Sequence, residues 1–416
     1  MVPALLAAML SAGCASPELQ EYPDYQSRVY EGSDGPITVR VSALTPTESL
    51  EVYDLPLAAR GIQPVWVEVE NRDTVPYWFL AHGLDPNYYP HWEAAEAFSV
   101  GESELFDFDR RDKFEALSLP DLIPPGEVAS GFVLTTLDEG FKFVHTDFLR
   151  SNKLRHISLI IPVPGFRADY ETRGTFEKEY YSPEEKIDLS DDLAAFRESL
   201  QALPCCVSNK KGTKYGDPLN LVIVGEEGDA FAALAERGWR PTETTWSGSV
   251  LKMMASTLGG DPYLYSPISP LYLYGRPQDL ALQKARDNIH QRNHLRLWLS
   301  PYTFRGKPVW VGQISRDIGT RLTIHSPYLT THKIDPDVDE ARTALLEDLA
   351  YSQHLQSFGL VSGVGAATRD EPRGNLTTDP YYTDGFRAVL IFDAQSTPMD
   401  AIGVLPWETK DIDDAD

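Results

Sequence analysis

Cysteine is nearly absent from this chain. It occurs three times in 416 residues, too few for a disulfide scaffold of this length. Basic residues are also scarce: 37 Lys+Arg stand against 62 Asp+Glu, a formal net charge of −25. Phosphate backbones repel such a field, which excludes a general nucleic-acid binder. No apolar run reaches the roughly 18 residues of a spanning helix. No period of 20–50 residues recurs, so repeat architectures are excluded as well. The hydrolase elbow GxSxG and the metalloprotease HExxH are both missing. What is present is an ordinary globular composition, 42% hydrophobic and 11% aromatic, enough for real cores and against wholesale disorder. At roughly 150 residues per domain, the length sets an expectation of two to three domains.

Residues 1–14, MVPALLAAMLSAGC, are apolar and end in small residues before a cysteine. A run of about 12 apolar residues is too short to cross a bilayer. It fits the h-region and cleavage site of a signal peptide. Ser11-Ala12-Gly13-Cys14 resembles the lipobox of bacterial lipoproteins, with Ser11 where that motif usually carries Leu. The resemblance implies cleavage before Cys14, lipidation of its thiol and anchoring to a membrane. Ala15 and Ser16, where an Asp would retain a lipoprotein at the inner membrane, imply the outer membrane facing the periplasm. The alternative is an ordinary leader with an incidental cysteine. Residues 15–36 read as a tether. Cys205 and Cys206 are adjacent, and neighbouring cysteines lack the usual Cα separation of an unstrained bridge. Buried structural thiols are therefore expected; a vicinal disulfide or a redox pair are the alternatives.

Residues 37–165 read as all-β. Ile37–Val41 alternates, and Val65–Glu70 places three valines on one face and Trp66, Glu68 and Glu70 on the other. A turn cluster at 71–76 leads into Tyr77–Leu80. Gly131–Leu137, Phe141–Phe148 and His156–Pro162 follow, with Pro124-Pro125 as punctuation between strands. Tyr88–Phe98 reads as a short helical insertion. The whole suggests an immunoglobulin-like sandwich. Residues 166–216 read as a charged connector, with a helix capped by Asp191 or Asp192. From 217 to 395 the pattern is α+β. Strands are expected at Leu219–Val224, Leu271–Tyr274, Asp279–Ala285, His294–Leu299, Pro308–Arg316, Arg321–His325 and Phe386–Phe392. Helices are expected at Ala230–Glu236, Thr245–Leu258 and along Val338, Ala341, Leu345 and Leu349. Residues 396–416 form an acidic tail.

Charge is not spread evenly. Residues 263–333 hold ten Lys/Arg and three Asp, hence +7, against −32 for the rest. In His294–Leu299 the three leucines share one strand face while His294, Arg296 and Trp298 share the other. Arg supplies a bidentate fork, imidazole a titratable donor and indole an apolar wall, a set suited to holding an anion. Arg316 and Arg321 flank an expected turn at Asp317–Gly319, and Arg321, Thr323 and His325 alternate on one face. Two readings stay open: a solvated sheet face paired with acids elsewhere, or an anion site. The candidate ligand-binding residues are Arg276, Asp279, His294, Arg296, Arg316, Asp317 and His332, and His294 and His332 are the catalytic candidates. His290 and His294 form HxxxH without the rest of a metalloprotease motif. Asp335–Asp339 resembles a calcium loop but has Glu340 in place of Gly at position six and Leu346 in place of Glu at position twelve. It reads better as helix entry, with Asp335 as N-cap and Pro336 at the first helical position. Gly363-Val364-Gly365 lacks the context of a dinucleotide loop. No metal or cofactor is expected.

Five blocks recur in order over residues 217–395: Asp217–Gly225, Ser266–Leu280, His294–Trp298, Val309–Gly312 with Arg316-Asp317, and Thr331–Asp337. Together they resemble the LssY C-terminal domain family. The family's domain stands at the end of membrane proteins with DedA-like or type 2 phosphatidic acid phosphatase-like segments, and in envelope lipoproteins. The phosphatase motif belongs to the membrane segment, so the resemblance implies an envelope domain and transfers no reaction. The expected function is binding of an anionic, phosphate-bearing envelope ligand, such as a phosphorylated lipid or glycan. A phosphoester hydrolase in which Arg clamps phosphate and His294 or His332 moves the proton is one alternative. A structural spacer is the other.

Overall fold

The computed structural model describes residues 24–98, 108–166, 168–175, 178–244, 264–285, 292–322, 330–393 and 396–407. The leader with Cys14, the expected helix at Thr245–Leu258, His290, His325 and the end of the acidic tail lie outside them. The described chain is mostly β, in several sheets.

The first region is built from two four-stranded antiparallel sheets. One runs β1 (Tyr30–Asp34), β2 (Ile37–Ala43), β3 (Ile62–Asn71), β6 (Val128–Thr136). The other runs β5 (Leu122–Ile123), β4 (Tyr77–Leu80), β7 (Phe141–Arg150), β8 (Lys153–Pro162). Val65, Val67 and Val69 of β3 are buried in one core with Tyr77, Phe79, Val144 and Phe148 of the second sheet. The alternation of β3 produces this directly. Its other face is not left to solvent. Trp66 packs with Tyr53, Phe114 and Phe132 beneath α1 (Pro46–Tyr53), α2 (His91–Glu96) and α3 (Phe108–Leu117). Helix α1 opens on a capping box: Thr45 Oγ1 accepts from Glu48 N–H, and the Glu48 carboxylate accepts from Thr45 N–H.

The second region centres on a ten-stranded sheet. Its order is β13 (Arg240–Pro241), β16 (Leu280–Ala285), β17 (Arg292–Phe304), β18 (Lys307–Leu322), β12 (Leu221–Val224), β23 (Phe386–Phe392), β20 (Leu355–Ser362), β24 (Gly403–Val404). β9 (Ile187–Asp188) joins β17, and β19 (Thr330–Ile334) joins β18. Segments on both sides of 217–395 therefore take part: β9 precedes it and β24 follows it. A smaller sheet pairs β10 (Cys206–Ser208) with β11 (Tyr215–Pro218) and β14 (Tyr272–Leu273), which pairs with β15 (Arg276–Pro277). A two-stranded ribbon joins β21 (Arg373–Gly374) and β22 (Pro380–Tyr381). Both faces of the large sheet are covered. Leu221, Ile223, Leu295 and Leu297 lie under α5 (Glu227–Glu236) and α6 (Val338–Ala350). Val222, Val224, Trp298 and Val389 lie under α4 (Leu193–Gln201).

The structure corrects several expectations. The turn at Asp317–Gly319 is a register irregularity inside the single strand β18. Asp337, not Asp335, caps α6. The Pro336 carbonyl accepts from Tyr382 N–H, which holds residue 336 outside the helix. Cys205 and Cys206 are joined as a vicinal disulfide with Cα atoms 3.7 Å apart, in place of the expected thiols. The turn carrying them is held by Arg387, which is fully buried. Its guanidinium donates to the carbonyls of Leu219, Leu200, Leu203 and Pro204 at 2.6–3.1 Å. Burial lowers its pKa to about 10. Gly363, at φ 129°, lies against this guanidinium, where a Cβ would collide with it.

The two regions meet along β7, β8 and α5. Phe141 and Ile160 pack with Phe166, Tyr265 and α5 residues. Glu139 N–H donates to Tyr265 Oη at 3.1 Å, and Asp138 binds both Lys142 and Arg240. Beside this seam the rings of His145 and His156 stack at 5.8 Å, and His354 stands edge-on to His145 at 6.4 Å. Burial, with the two neighbouring imidazoles, lowers the pKa of His354 to about 4.

Candidate functional site

β17 carries Arg292, His294, Arg296 and Trp298 on one face, as its alternation requires. That face is under cover: Arg292 is 2% exposed, His294 6% and Arg296 7%. A solvated sheet face is thereby excluded. The neighbouring strands bring polar partners into the same rows. Gln283 and Ser315 flank His294, and Ala281 and Gln313 flank Arg296. Arg292 Nη1 donates to Gln283 Oε1 at 2.9 Å, and Arg296 Nη1 donates to Gln313 Oε1 at 2.8 Å. Arg296 also donates to the Ser269 carbonyl through Nε and Nη2.

Two buried carboxylates face these cations. Asp317 Oδ2 lies 3.5 Å from Arg292 Nε and 3.5 Å from His294 Nε2. Burial pushes the Asp317 pKa up to about 7, although Arg292 and Arg296 pull the other way. Asp217, at the end of β11, is likewise raised by burial against the attraction of Arg296. Burial lowers both guanidinium groups. The result is a low-dielectric cluster in which Asp317 titrates near neutrality beside an imidazole, an arrangement that can store or pass a proton.

Arg292 and Asp317 also line a cleft of about 550 Å³ at the end of β16, the start of β17 and the register irregularity of β18, closed on its far side by α6. Arg237, Lys284 and Arg316 stand around it, together with the acids Asp335, Glu347 and Asp348. Asp348 of α6 collects three donors: Arg237 Nε at 3.0 Å, Trp239 Nε1 at 3.3 Å and Lys284 Nζ at 2.7 Å. This is a carboxylate seat made by side chains from separate segments and filled by the chain's own carboxylate.

The expected site residues divide accordingly. His294, Arg296 and Asp317 come together with Arg292, and Arg316 shares the cleft with Arg292 and Asp317. Arg316 itself pairs with Glu340 and donates to Asn293 Oδ1. Arg276 and Asp279 do not join them. Arg276 makes a bidentate pair with Asp279, both bonds 2.9 Å, and donates to the Leu299 carbonyl at 2.7 Å. Leu299 is five residues along β17 from His294, about 15 Å of strand. The His332 backbone pairs with Thr320, and its side chain lies outside the described residues. Among the described residues, no group of three or more His, Cys, Asp and Glu is placed to hold a metal ion.

Arg292 lies just before the expected strand, which opens at His294, whereas β17 begins at Arg292 and extends the 294–296–298 alternation backwards. Gln283 and Gln313 were visible as amides within apolar strands. Asp217 and Asp348 carry no local signal, because distant segments bring them to their partners. No curated protein matches the chain. Residues 199–386 match the family model described as LssY C-terminus, the family expected for the C-terminal domain.

Proposed function

We propose that the chain is a lipid-anchored envelope protein whose LssY C-terminus domain binds a phosphate-bearing anion in the cleft beside Asp317. The sandwich, read as immunoglobulin-like, would carry that domain away from the anchor at Cys14. The observation behind the binding reading is that Arg237, Lys284, Arg292 and Arg316 line one cleft, with three donors already gathered on the Asp348 carboxylate. A ligand phosphate would take these donors in competition with Asp348. Glycerol phosphate titrated into the full chain should bind in a salt-sensitive way, and Lys284→Gln or Arg316→Gln should weaken binding at least tenfold. Binding that ignores salt and both substitutions defeats the reading. Mass spectrometry of the mature N-terminus checks the anchor separately, since an unmodified Cys14 removes it.

The hydrolase reading rests on one contact, His294 Nε2 at 3.5 Å from an Asp317 that lines the cleft. It requires turnover of p-nitrophenyl phosphate that Asp317→Asn abolishes without unfolding the chain.

A further inference from the structure

The outer face of the second sandwich sheet changes character along its strands. At one end Phe141 and Ile160 pack beneath the second region, and in the middle lie His145, Asp147 and His156. At the other end a row of apolar side chains crosses all four strands in register. Leu122 pairs with Trp78, Trp78 with Leu149, and Leu149 with Leu154. None of the four is covered: Trp78 is 56% exposed, Leu154 53%, Leu149 44% and Leu122 43%, with Leu80 beside them at 38%. Scattered exposed leucines are ordinary, but one continuous row of them on a sheet face marks a contact surface.

We propose that this row is a membrane-contact surface, seated in the interfacial layer of a phospholipid bilayer by Trp78 and the leucines. Two features favour a bilayer over a second protein. The first is area: the row offers on the order of 400 Å², about half of the roughly 800 Å² per partner in a stable protein interface. The second is charge. The β7–β8 hairpin that carries Leu149 and Leu154 places Arg150 and Lys153 at its tip. Lys153 is exposed, and Arg150 sits over the Tyr77 ring and pairs with Asp73 at 3.0 Å. An indole flanked by aliphatic side chains, with the exposed Lys153 ammonium at the edge nearest the lipid phosphates, is the composition that settles at a membrane–water boundary. Asp121 stands exposed beside Leu122 at the opposite edge, so the hairpin tip enters first. This contact depends neither on acylation of Cys14 nor on the cleft beside Asp317.

The test uses the full chain with vesicles of phosphatidylethanolamine and phosphatidylglycerol at 3:1, with and without brominated acyl chains. The fluorescence of Trp78 is isolated as the difference between the parent chain and Trp78→Phe. On vesicle-bound protein this difference spectrum should shift to the blue, lose at least half its intensity to brominated lipid, and recover when Leu149 and Leu154 are both replaced by Ser. A difference spectrum that bound vesicles leave unquenched overturns the proposal, whatever holds the chain on the vesicle. So does a dimer in sedimentation equilibrium that the Leu149/Leu154 double substitution dissociates, because a second copy would then be the occupant. Thermal melts check that the substituted chains remain folded.

Discussion

Two sheet faces in this molecule invert the usual partition. On the large sheet, the face bearing Arg292, His294, Arg296 and Asp317 is almost wholly covered, reaching the cleft only at Arg292 and Asp317. On the sandwich, the face bearing Trp78, Leu122, Leu149 and Leu154 is open. The two respond differently to pH. Buried ionic groups raise carboxyl pKa values and lower those of cations, so the first face is sensitive to pH. The second face carries no titratable side chain in its row; its cost is unburied apolar area, which is insensitive to pH. Polar groups under cover and apolar groups in the open both weaken folding, and both are arranged as a site would be.

The largest expected effect sharpens what burial of a cation means. Among the described residues, Arg387 hydrogen-bonds to backbone carbonyls, unlike Arg292 and Arg296, which have carboxylate neighbours. Arg387→Met leaves those carbonyls without donors and should cost about 4 kcal/mol in denaturant unfolding. A loss below about 1 kcal/mol would show that water replaces the guanidinium.

The next two effects carry opposite signs. The folded pKa of Asp317 is raised to about 7, above its unfolded value. Its contribution is therefore present at low pH and lost as pH rises from about 4 to 7. Asp317→Asn should flatten that limb, on the order of 2 kcal/mol. The folded pKa of His354 is depressed to about 4. Its contribution is present above about pH 6.5 and lost as pH falls through that value toward 4. His354→Gln should flatten this limb by about 2 kcal/mol and leave the Asp317 limb in place. Unfolding curves at fixed pH separate the two, and a common response would mean that the seam and the cluster titrate as one system.

The smallest effects lie at the surface. Arg316→Ala breaks a pair whose acid, Glu340, is 57% exposed, so it should cost about 0.5 kcal/mol at most while weakening ligand binding. Trp78→Ser should leave stability within about 0.5 kcal/mol. A larger loss would mean that the indole serves the fold and would break the contrast between the two faces.

Much of the fold was legible because strand alternation is a local property. Val65, Val67 and Val69 point inward as their spacing requires, and Leu295 and Leu297 separate from His294 and Arg296 in the same way. The capping box at Thr45–Glu48 was equally local, though helix α1 was missed. The vicinal disulfide stood only as an alternative, since adjacent Cα atoms lie closer than an ordinary bridge spans, and the carbonyls around that turn gather on Arg387, which is far away in sequence.

Which residues share a face, where charge accumulates and which family residues 199–386 match all follow from neighbours in the chain or from pattern. Which faces meet water depends on packing between distant segments. The leucines of the sandwich row and the arginines of β17 look alike in kind to any other strand residues, and only the packing of α4, α5 and distant loops leaves the first open and covers the second. Burial depends on chain segments far apart in sequence, and with burial come the raised pKa of Asp317 and the seat that Asp348 now fills.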